Sequence, residues 1–336
     1  MSDISIIGAG SWGTALSVVL HKNGHKITIW SALAPEIEML KEKHEQAEKL
    51  PGVILPDDII FTTDLKEAIE GKDMLVLAVP SPFTRSTAKA MSPFVAKGQL
   101  IVSVAKGIEE NTLMTLSEII MEEIPQCEAA VLCGPSHAEE VGKEIPTSLV
   151  AGAKKRATAE LVQNTFMSEV LRVYTSPDVL GMEIGASLKN VIALAAGMAD
   201  GLGYGDNTKA ALITRGISEM GRLALAMGAK YETLSGLTGM GDLIVTCASK
   251  HSRNRRAGYL MGQGYTMQQA MDEVKMVVEG VYSAKAAIAL AKKYHVDMPI
   301  IEQVNEVLFE DKPAKDAVKE LMLRDKKVEH DDLEWQ

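Results

Sequence analysis

The chain has 336 residues, 46% hydrophobic and 24% charged, which is the composition of a globular protein rather than a disordered or fibrous one. Its length exceeds the roughly 100 to 200 residues of a usual single domain, so we expect two domains. A formal net charge of -10 disfavours nucleic acid or an anionic membrane as a partner, and any anionic ligand therefore needs a local basic site.

The cysteine content indicates the compartment. Cys127, Cys133 and Cys247 are an odd number without C-x-x-C spacing, which argues against a disulfide framework and a zinc site. The first predicted strand begins at Ile4, which leaves no room for a signal peptide, and no uninterrupted apolar run reaches the ~18 residues of a membrane helix. We therefore expect a cytoplasmic protein without a metal and without membrane insertion.

A glycine-rich loop follows this first strand. Gly8, Gly10 and Gly13 have G-x-G-x-x-G spacing, and a helical apolar pattern runs from there to Gly24. In this motif the first glycine permits a tight turn, the second lets a pyrophosphate approach the backbone, and the third lets the helix pack closely on the strand. The spacing alone is a weak signal, but a strand before it and a helix after it favour a dinucleotide-binding loop over an ordinary glycine turn.

Short β-rich runs alternate with helical patterns up to about residue 175. The predicted strands are 4–8, 26–30, 59–62, 74–79, 100–104, 129–133, 148–151 and 171–174. The predicted helices between them include 35–49, 64–70, 84–95, 111–123 and 154–167. This alternation predicts an α/β, Rossmann-like domain over residues 1–177, with a parallel sheet covered on both faces and ligands bound at the carboxyl ends of the strands.

Two polar residues stand out in the loops at those strand ends. Lys106 lies between a buried strand and Gly107, so we expect its ammonium group to face the crevice rather than solvent. For His137, a loop histidine held by hydrogen bonds is favoured over a titrating group.

The end of the second strand bears on the choice of dinucleotide. It reads Trp30-Ser31-Ala32-Leu33, without the acidic residue that binds a ribose 2′-hydroxyl or the arginine that binds a 2′-phosphate. These residues therefore do not tell NAD from NADP as the preferred dinucleotide.

After residue 177 the strand signals give way to helical periodicity, which predicts an all-α substrate domain over 178–325 and a charged tail over 326–336. Lys189 is the only cation in an apolar helical stretch over 186–197. Burial, and a second lysine such as Lys106, would lower its pKa and make it a proton donor and acceptor near neutrality. A half-buried lysine that extends to solvent fits equally well. Asn190 either orients a substrate hydroxyl or bridges to a neighbouring helix.

A basic turn in this domain predicts a phosphate site. Asp242 begins an apolar run, where a carboxylate without a partner is costly. Ser252 is a good helix N-cap, but Arg253, Arg255 and Arg256 in the first turn oppose the helix dipole. A bound phosphate would resolve that conflict, and in an otherwise acidic protein we favour it over a solvated basic turn.

Seven short motifs follow one another along residues 4–322. They are Gly8-Ala9-Gly10-Ser11-Trp12-Gly13-Thr14-Ala15, Ala105-Lys106-Gly107, Gly134-Pro135-Ser136, Leu188-Lys189-Asn190, Asn207-Thr208-Lys209-Ala210-Ala211, Gly239-Met240-Gly241-Asp242-Leu243 and Ser252-Arg253-Asn254. In order and spacing they resemble the bacterial type of NAD(P)-dependent glycerol-3-phosphate dehydrogenase. The resemblance implies reversible, NAD(P)H-dependent reduction of dihydroxyacetone phosphate to sn-glycerol 3-phosphate, which supplies glycerophospholipid synthesis.

The resemblance also implies residue roles, with Lys189 as the catalytic proton donor and, in reverse, the base. The implied substrate-binding residues are Lys106, Gly134, Ser136, Lys189, Asn190, Asp242, Ser252, Arg253 and Asn254. The implied cofactor-binding residues are Gly8, Gly10, Ser11, Trp12, Gly13, Lys106, Ala138, Arg253, Val277 and Glu279. It implies a small phosphorylated substrate, NAD or NADP without a metal, and a homodimer as the candidate assembly.

One position departs from the family pattern, and two other functions stay open. The family commonly has a basic residue after the strand-two tryptophan, where this chain has Ser31-Ala32, so we predict that NADH is accepted at least comparably to NADPH. The first alternative is another two-domain dehydrogenase with a Lys-Asn step, acting on 6-phosphogluconate or ketopantoate; the 239–242 loop followed by Ser252-Arg253-Asn254 argues against it. The second is a non-catalytic dinucleotide sensor, for which Lys189→Ala would leave the biological output intact.

Overall fold

A single twisted sheet carries the first half of the molecule. The computed structural model describes residues 1–329, so residues 330–336 of the predicted charged tail lie outside the described residues. The strands are β1 Asp3–Ile7, β2 Lys26–Trp30, β3 Ile60–Thr62, β4 Met74–Leu77, β5 Leu100–Ser103, β6 Glu128–Cys133, β7 Thr147–Gly152 and β8 Leu171–Ser176. Within residues 1–329 the sheet order is β3-β2-β1-β4-β5-β6-β7-β8. Each predicted strand is present.

Helices cover this sheet and then form the second half. Those between the strands are α1 Ser11–Lys22, α2 Ala34–Lys43, α3 Leu65–Ile69, α4 Thr84–Met91, α5 Leu116–Glu123, α6 Ala138–Val141 and α7 Arg156–Phe166. Those after the sheet are α8 Val179–Gly201, α9 Asp206–Ala226, α10 Tyr231–Leu234, α11 Asp242–Ala248, α12 Arg253–Gly262, α13 Met267–Val274, α14 Glu279–Tyr294, α15 Pro299–Phe309 and α16 Ala314–Met322. The Rossmann-like sheet followed by helices confirms the predicted fold class.

The sheet is not wholly parallel, which corrects the expectation from the sequence. Strands β6 and β7 run antiparallel, with Leu132 opposite Ala151, whereas the other neighbouring strands are parallel. A parallel crossover needs a connection that runs back along the sheet, usually a full helix. The connection here contains only α6, which has four residues, so the chain returns in the opposite direction.

Three predicted helices are shorter than their sequence patterns by four residues or more. The helix predicted over 35–49 ends at Lys43, because His44 takes a left-handed conformation with φ 48°. The helix predicted over 111–123 begins only at Leu116, where Thr115 and Glu118 form a capping box. The helix predicted over 84–95 ends at Met91.

Close helix packing determines where the second half places its polar residues. Helix α8 is 23 residues long and is the one described helix long and apolar enough to cross a membrane, although 89% of its apolar window is buried in the protein. A Cβ atom on Gly258 of α12 would collide with the Leu194 carbonyl of α8, and one on Gly197 with the Arg255 carbonyl. These glycines let α12 approach α8 closely, so the start of α12 lies beside Lys189 and Asn190.

Candidate active site

A cleft of about 950 Å³ lies at the carboxyl ends of β1, β2, β4 and β5, between the sheet and the helical half. Both halves contribute to its lining. The predicted site residues along it are Gly8, Gly10, Ser11, Trp12, Lys106, Ser136, Ala138, Lys189, Asn190, Asp242, Ser252, Arg253, Asn254, Val277 and Glu279. Gly13 and Gly134 are buried and do not line the cleft. The cleft therefore brings together residues that the sequence placed in separate motifs.

The glycine loop has the geometry that the motif predicts. Gly8 has a φ of +125°, and a Cβ atom there would approach the Ala78 carbonyl carbon to 2.8 Å. A Cβ atom on Gly13 would collide with the Gly8 carbonyl and lie 2.9 Å from Ile6 Cγ2, so α1 packs tightly on β1. Gly10, the N-cap of α1, faces open space, because a Cβ atom there would meet no other atom within 4 Å. An anion can reach the helix N-terminus there.

The same loop fits a dinucleotide through its neighbouring side chain. Trp12 lines the cleft, and its buried indole Nε1 has no hydrogen-bond partner among the described residues. The first N–H groups of α1 likewise lack intrahelical acceptors, as in every helix. A bound pyrophosphate would occupy the open space at Gly10 and accept from the free N–H groups of α1. The residues present therefore fit the cofactor that the motif implies.

Two lysines share one buried carboxylate at the centre of the cleft. Lys189 Nζ donates to Asp242 Oδ1 at 2.9 Å and to Thr246 Oγ1 at 2.7 Å. Lys106 Nζ donates to Asp242 Oδ2 at 2.7 Å and to the Gly134 carbonyl at 2.9 Å. Lys189 and Asp242 are 5% and 1% exposed. Lys189 is thus a buried, paired lysine rather than one that extends to solvent.

The charges of this cluster and its burial bring the pKa of Lys189 close to neutral pH. Burial lowers the pKa of Lys189 to about 8; the Asp242 carboxylate opposes this shift, and the Lys106 ammonium adds to it. Burial would raise the pKa of Asp242, but Lys106 and Lys189 together hold it below its usual value. The cluster therefore holds a carboxylate that stays ionised and an ammonium that gives up its proton near physiological pH.

Gly134 and Ser136 hold the Lys106 side chain rather than forming a separate site. The Gly134 carbonyl accepts from Lys106 Nζ, and Ser136 Oγ lies 3.4 Å from the same Nζ. The expectation that hydrogen bonds hold the His137 side chain is wrong, because within residues 1–329 this side chain makes no hydrogen bond and its Nε2 is buried without a partner. Burial, with Lys189 and Lys106 nearby, lowers the pKa of His137 to about 4, so this side chain stays neutral.

Asn190 and Asn254 form a buried bridge between helices. Asn254 Nδ2 donates to Asn190 Oδ1 at 2.9 Å, and the Gly280 N–H donates to Asn254 Oδ1 at 2.8 Å. This chain joins α8, α12 and α14. Of the two alternatives for Asn190, the bridge to a neighbouring helix is present, while its amide nitrogen makes only a 3.3 Å contact to the Ala186 carbonyl.

The basic turn at α12 is built differently from its sequence pattern. Ser252 caps the helix as predicted, accepting from the Arg255 N–H at 3.1 Å. Arg255, however, pairs with Asp200 through Nε at 2.7 Å and Nη2 at 2.6 Å, so it does not belong to the predicted anion site. Arg256 is exposed outside the cleft, and Arg253 alone of the three lines it. One guanidinium at a helix N-terminus remains for an anion.

A last contact joins the two halves at the rim of the cleft. The Glu279 carboxylate accepts from the Ser81 N–H at 3.1 Å and from its hydroxyl, which ties the loop after β4 to α14. Burial raises the pKa of Glu279. Sequence reasoning missed Thr246, whereas Ser81 lies in one of the strand-end loops that the sequence predicts at the ligand crevice. The position of Thr246 four residues after Asp242, on one face of α11, is a signal that would have found it.

The described residues contain no group of three or more His, Cys, Asp or Glu side chains arranged to hold a metal ion.

Comparisons with known proteins agree with this geometry and with the resemblance of the seven motifs. The models for the N-terminus and the C-terminus of NAD-dependent glycerol-3-phosphate dehydrogenase match residues 3–159 and 178–319. A relative from Agathobacter rectalis, named glycerol-3-phosphate dehydrogenase (NAD(P)+), is 72% identical over 335 residues, with 100% of both chains covered. A relative of the same name from Fusobacterium nucleatum is 60% identical over 331 residues, covering 98% of this chain and 99% of its own.

A solved structure extends the likeness to the whole fold. The 2.1 Å crystal structure of glycerol-3-phosphate dehydrogenase from Coxiella burnetii superposes with a TM-score of 0.93 at 36% identity, covering 96% of this chain and 99% of that one. The sequence resemblance is confirmed, and the chain belongs to the family of NAD-dependent glycerol-3-phosphate dehydrogenases.

Proposed function

We propose that this protein reduces dihydroxyacetone phosphate to sn-glycerol 3-phosphate with NADH or NADPH, reversibly, for glycerophospholipid synthesis. The observation that carries the proposal is the buried Lys189 ammonium, which shares a cleft with a dinucleotide-type glycine loop and with Arg253. Burial of Lys189 and Asp242 costs desolvation free energy, and it lowers the pKa of Lys189 to about 8. Proton transfer near neutral pH needs such a lysine, whereas a dinucleotide sensor without turnover does not.

The nicotinamide dinucleotide, when bound, supplies the hydride that reduces the substrate carbonyl at C2. The residues proposed to hold it are the glycine loop, Ser11 and Trp12, with Lys106, Ala138, Arg253, Val277 and Glu279 along the cleft. Its pyrophosphate has a natural site at the N-terminus of α1, where Gly10 leaves room for close approach.

Lys189 is the proposed proton donor to the developing alkoxide oxygen and, in the oxidation direction, the base. A pKa of about 8 suits both roles near neutral pH. Lys106 adds a second cation to the same carboxylate, so negative charge that develops on the substrate oxygen meets two fixed ammonium groups. Asp242 and Thr246 accept from Lys189 and hold its Nζ in one position.

The substrate phosphate is proposed to bind at the start of α12. Arg253 supplies a guanidinium, while Ser252 and the first N–H groups of the helix supply further donors. The Asn190–Asn254 bridge holds this helix start against α8, so the phosphate site and the Lys189 proton are at a set distance. Such fixed geometry is a source of rate enhancement in itself.

The test is oxidation of NADH and of NADPH by the purified protein with dihydroxyacetone phosphate. We expect turnover with both, and Lys189→Ala should remove it while dinucleotide binding is retained. Arg253→Ala should raise KM for the substrate, whereas Arg256→Ala, an exposed neighbour outside the cleft, should not. Absence of turnover with either dinucleotide, in a protein that still binds them, would refute the proposed reaction.

We also propose a cytoplasmic location and a homodimer, without nucleic acid or membrane partners. The cysteines Cys127, Cys133 and Cys247 are free thiols, which suits a reducing compartment. Burial raises the pKa of Cys133 and of Cys247 to about 12, so neither is a reactive thiolate. Sedimentation of the purified protein checks the dimer.

A further inference from the structure

Three side chains form a hydrogen-bonded chain that the proposed reaction does not use: Ser31 directly after β2, Glu36 in α2, and Lys49 in the turn after α2. The Ser31 hydroxyl donates to Glu36 Oε2 at 2.6 Å, and Lys49 Nζ pairs with Glu36 Oε1. All three line the same cleft as the glycine loop. The Glu36 side chain is 11% exposed and that of Lys49 31%, so the carboxylate is held below the surface and the ammonium covers it.

This chain is fastened directly to the glycine loop. The Gly8 N–H donates to the Trp30 carbonyl at 2.9 Å, which fixes the backbone immediately before Ser31. The buried Gln46 side chain donates to the Ala9 carbonyl at 2.7 Å, which anchors the turn that carries Lys49. These two hydrogen bonds therefore fix the distance between the glycine loop and the Glu36–Lys49 pair.

The position matches one part of a dinucleotide. When the pyrophosphate lies on the glycine loop, the adenosine ribose lies over the end of the second strand. A carboxylate there accepts from a ribose 2′-hydroxyl and repels a 2′-phosphate, whereas an ammonium group attracts the phosphate. The pair presents both kinds of group at one place.

We propose that Glu36 binds the 2′-hydroxyl of NAD(H), that Lys49 binds the 2′-phosphate of NADP(H), and that their balance sets the dinucleotide preference of this enzyme. Lys49 is the more exposed partner, so it can turn toward a phosphate, and the Ser31 hydroxyl then still donates to the Glu36 carboxylate and holds it in place. The inference rests on the proposed function, because it needs a cleft that binds a dinucleotide.

Calorimetric titration of the full chain with NADH and with NADPH tests this directly, without turnover. In Glu36→Gln we expect the affinity for NADPH relative to NADH to rise about tenfold, since the repulsive charge is gone. In Lys49→Met we expect the same ratio to fall about tenfold, since Glu36 is left without its counter-charge. The two single variants thus shift one ratio in opposite directions.

Two matched controls remove the same charges nearby. Glu48→Gln and Lys43→Met alter exposed side chains that do not line the cleft, and both should leave the ratio unchanged. Thermal unfolding of each variant checks that it is folded. Opposite shifts in the two cleft variants support the proposal, and an unchanged ratio, or a shift in the same direction in both, overturns it. Failure of the wild-type protein to bind either dinucleotide would instead overturn the proposed function.

Discussion

Asp242→Asn is the sharpest test of the lysine cluster, because it removes one charge and little volume. The Asp242 carboxylate opposes the burial and the Lys106 ammonium that lower the pKa of Lys189. At an effective dielectric constant of about 20, unit charges 2.9 Å apart interact by about 6 kcal/mol. Rearrangement and water entry offset much of this, but a remainder of only about 1.4 kcal/mol lowers a pKa by one unit.

The assay is the pH profile of kcat/KM for reduction of dihydroxyacetone phosphate. The proton donor must be protonated, so in the wild-type enzyme the rate falls as pH rises above about 8. In Asp242→Asn this fall should begin at least about one pH unit lower, and in the oxidation direction the rise with pH should move the same way.

A control separates charge from hydrogen bonding. Thr246→Val removes the other Lys189 acceptor, a neutral hydroxyl at 2.7 Å, and should move the profile less than Asp242→Asn does. If the profile of Asp242→Asn stays at the wild-type pH or moves to higher pH, then Asp242 does not hold the proton on Lys189, and the electrostatic reasoning is wrong.

Three further predictions concern backbone contacts and burial. Gly10→Ala should weaken dinucleotide binding with little change in thermal stability. Gly13→Ala should lower the melting temperature, because its Cβ would meet the Gly8 carbonyl. Equal changes in melting temperature in the two variants would contradict this. Burial raises the pKa of Glu219 from 4.5 to about 7, so the folded protein favours the protonated acid and loses stability as pH rises between those values. Relative to wild type, Glu219→Gln should therefore gain about 2 to 3 kcal/mol in urea unfolding free energy between pH 5 and pH 8, and a constant difference would refute the shift. Gly258→Ala should push α12 from α8, cost about 1 to 3 kcal/mol in unfolding free energy and raise KM for the substrate; an unchanged KM would separate the packing from the phosphate site.

Local patterns were enough for most of the architecture. Buried parallel strands read as short apolar runs, which is why β1, β4 and β5 were predicted nearly to the residue. The glycine loop was predictable because its chemistry lies in spacing alone. The ends of helices were less predictable. The end of α2, for example, depends on the left-handed backbone of His44, a residue type that gives no strong signal for a helix end.

The sequence predicted the residues of the candidate site one by one. It did not predict several of the contacts between them. Lys189 was singled out by its apolar neighbours, but burial and solvent extension fitted it equally until Asp242 was found 2.9 Å away. Arg255 was grouped with Arg253 by sequence, although Asp200 neutralises it. Glu36 was overlooked because it lies inside α2 rather than at the end of β2.

Sequence therefore specified what each segment becomes, through hydrophobic period, glycine spacing and helix caps, which act between residues a few positions apart. Only the tertiary structure showed that β7 runs antiparallel to β6, that Lys106 and Lys189 share the Asp242 carboxylate, and that Glu36 pairs with Lys49. Asp242 meets lysines 53 and 136 positions away in the chain. Such contacts arise when whole elements pack, and the burial that changes the pKa of Lys189 exists only once that packing has removed water from it.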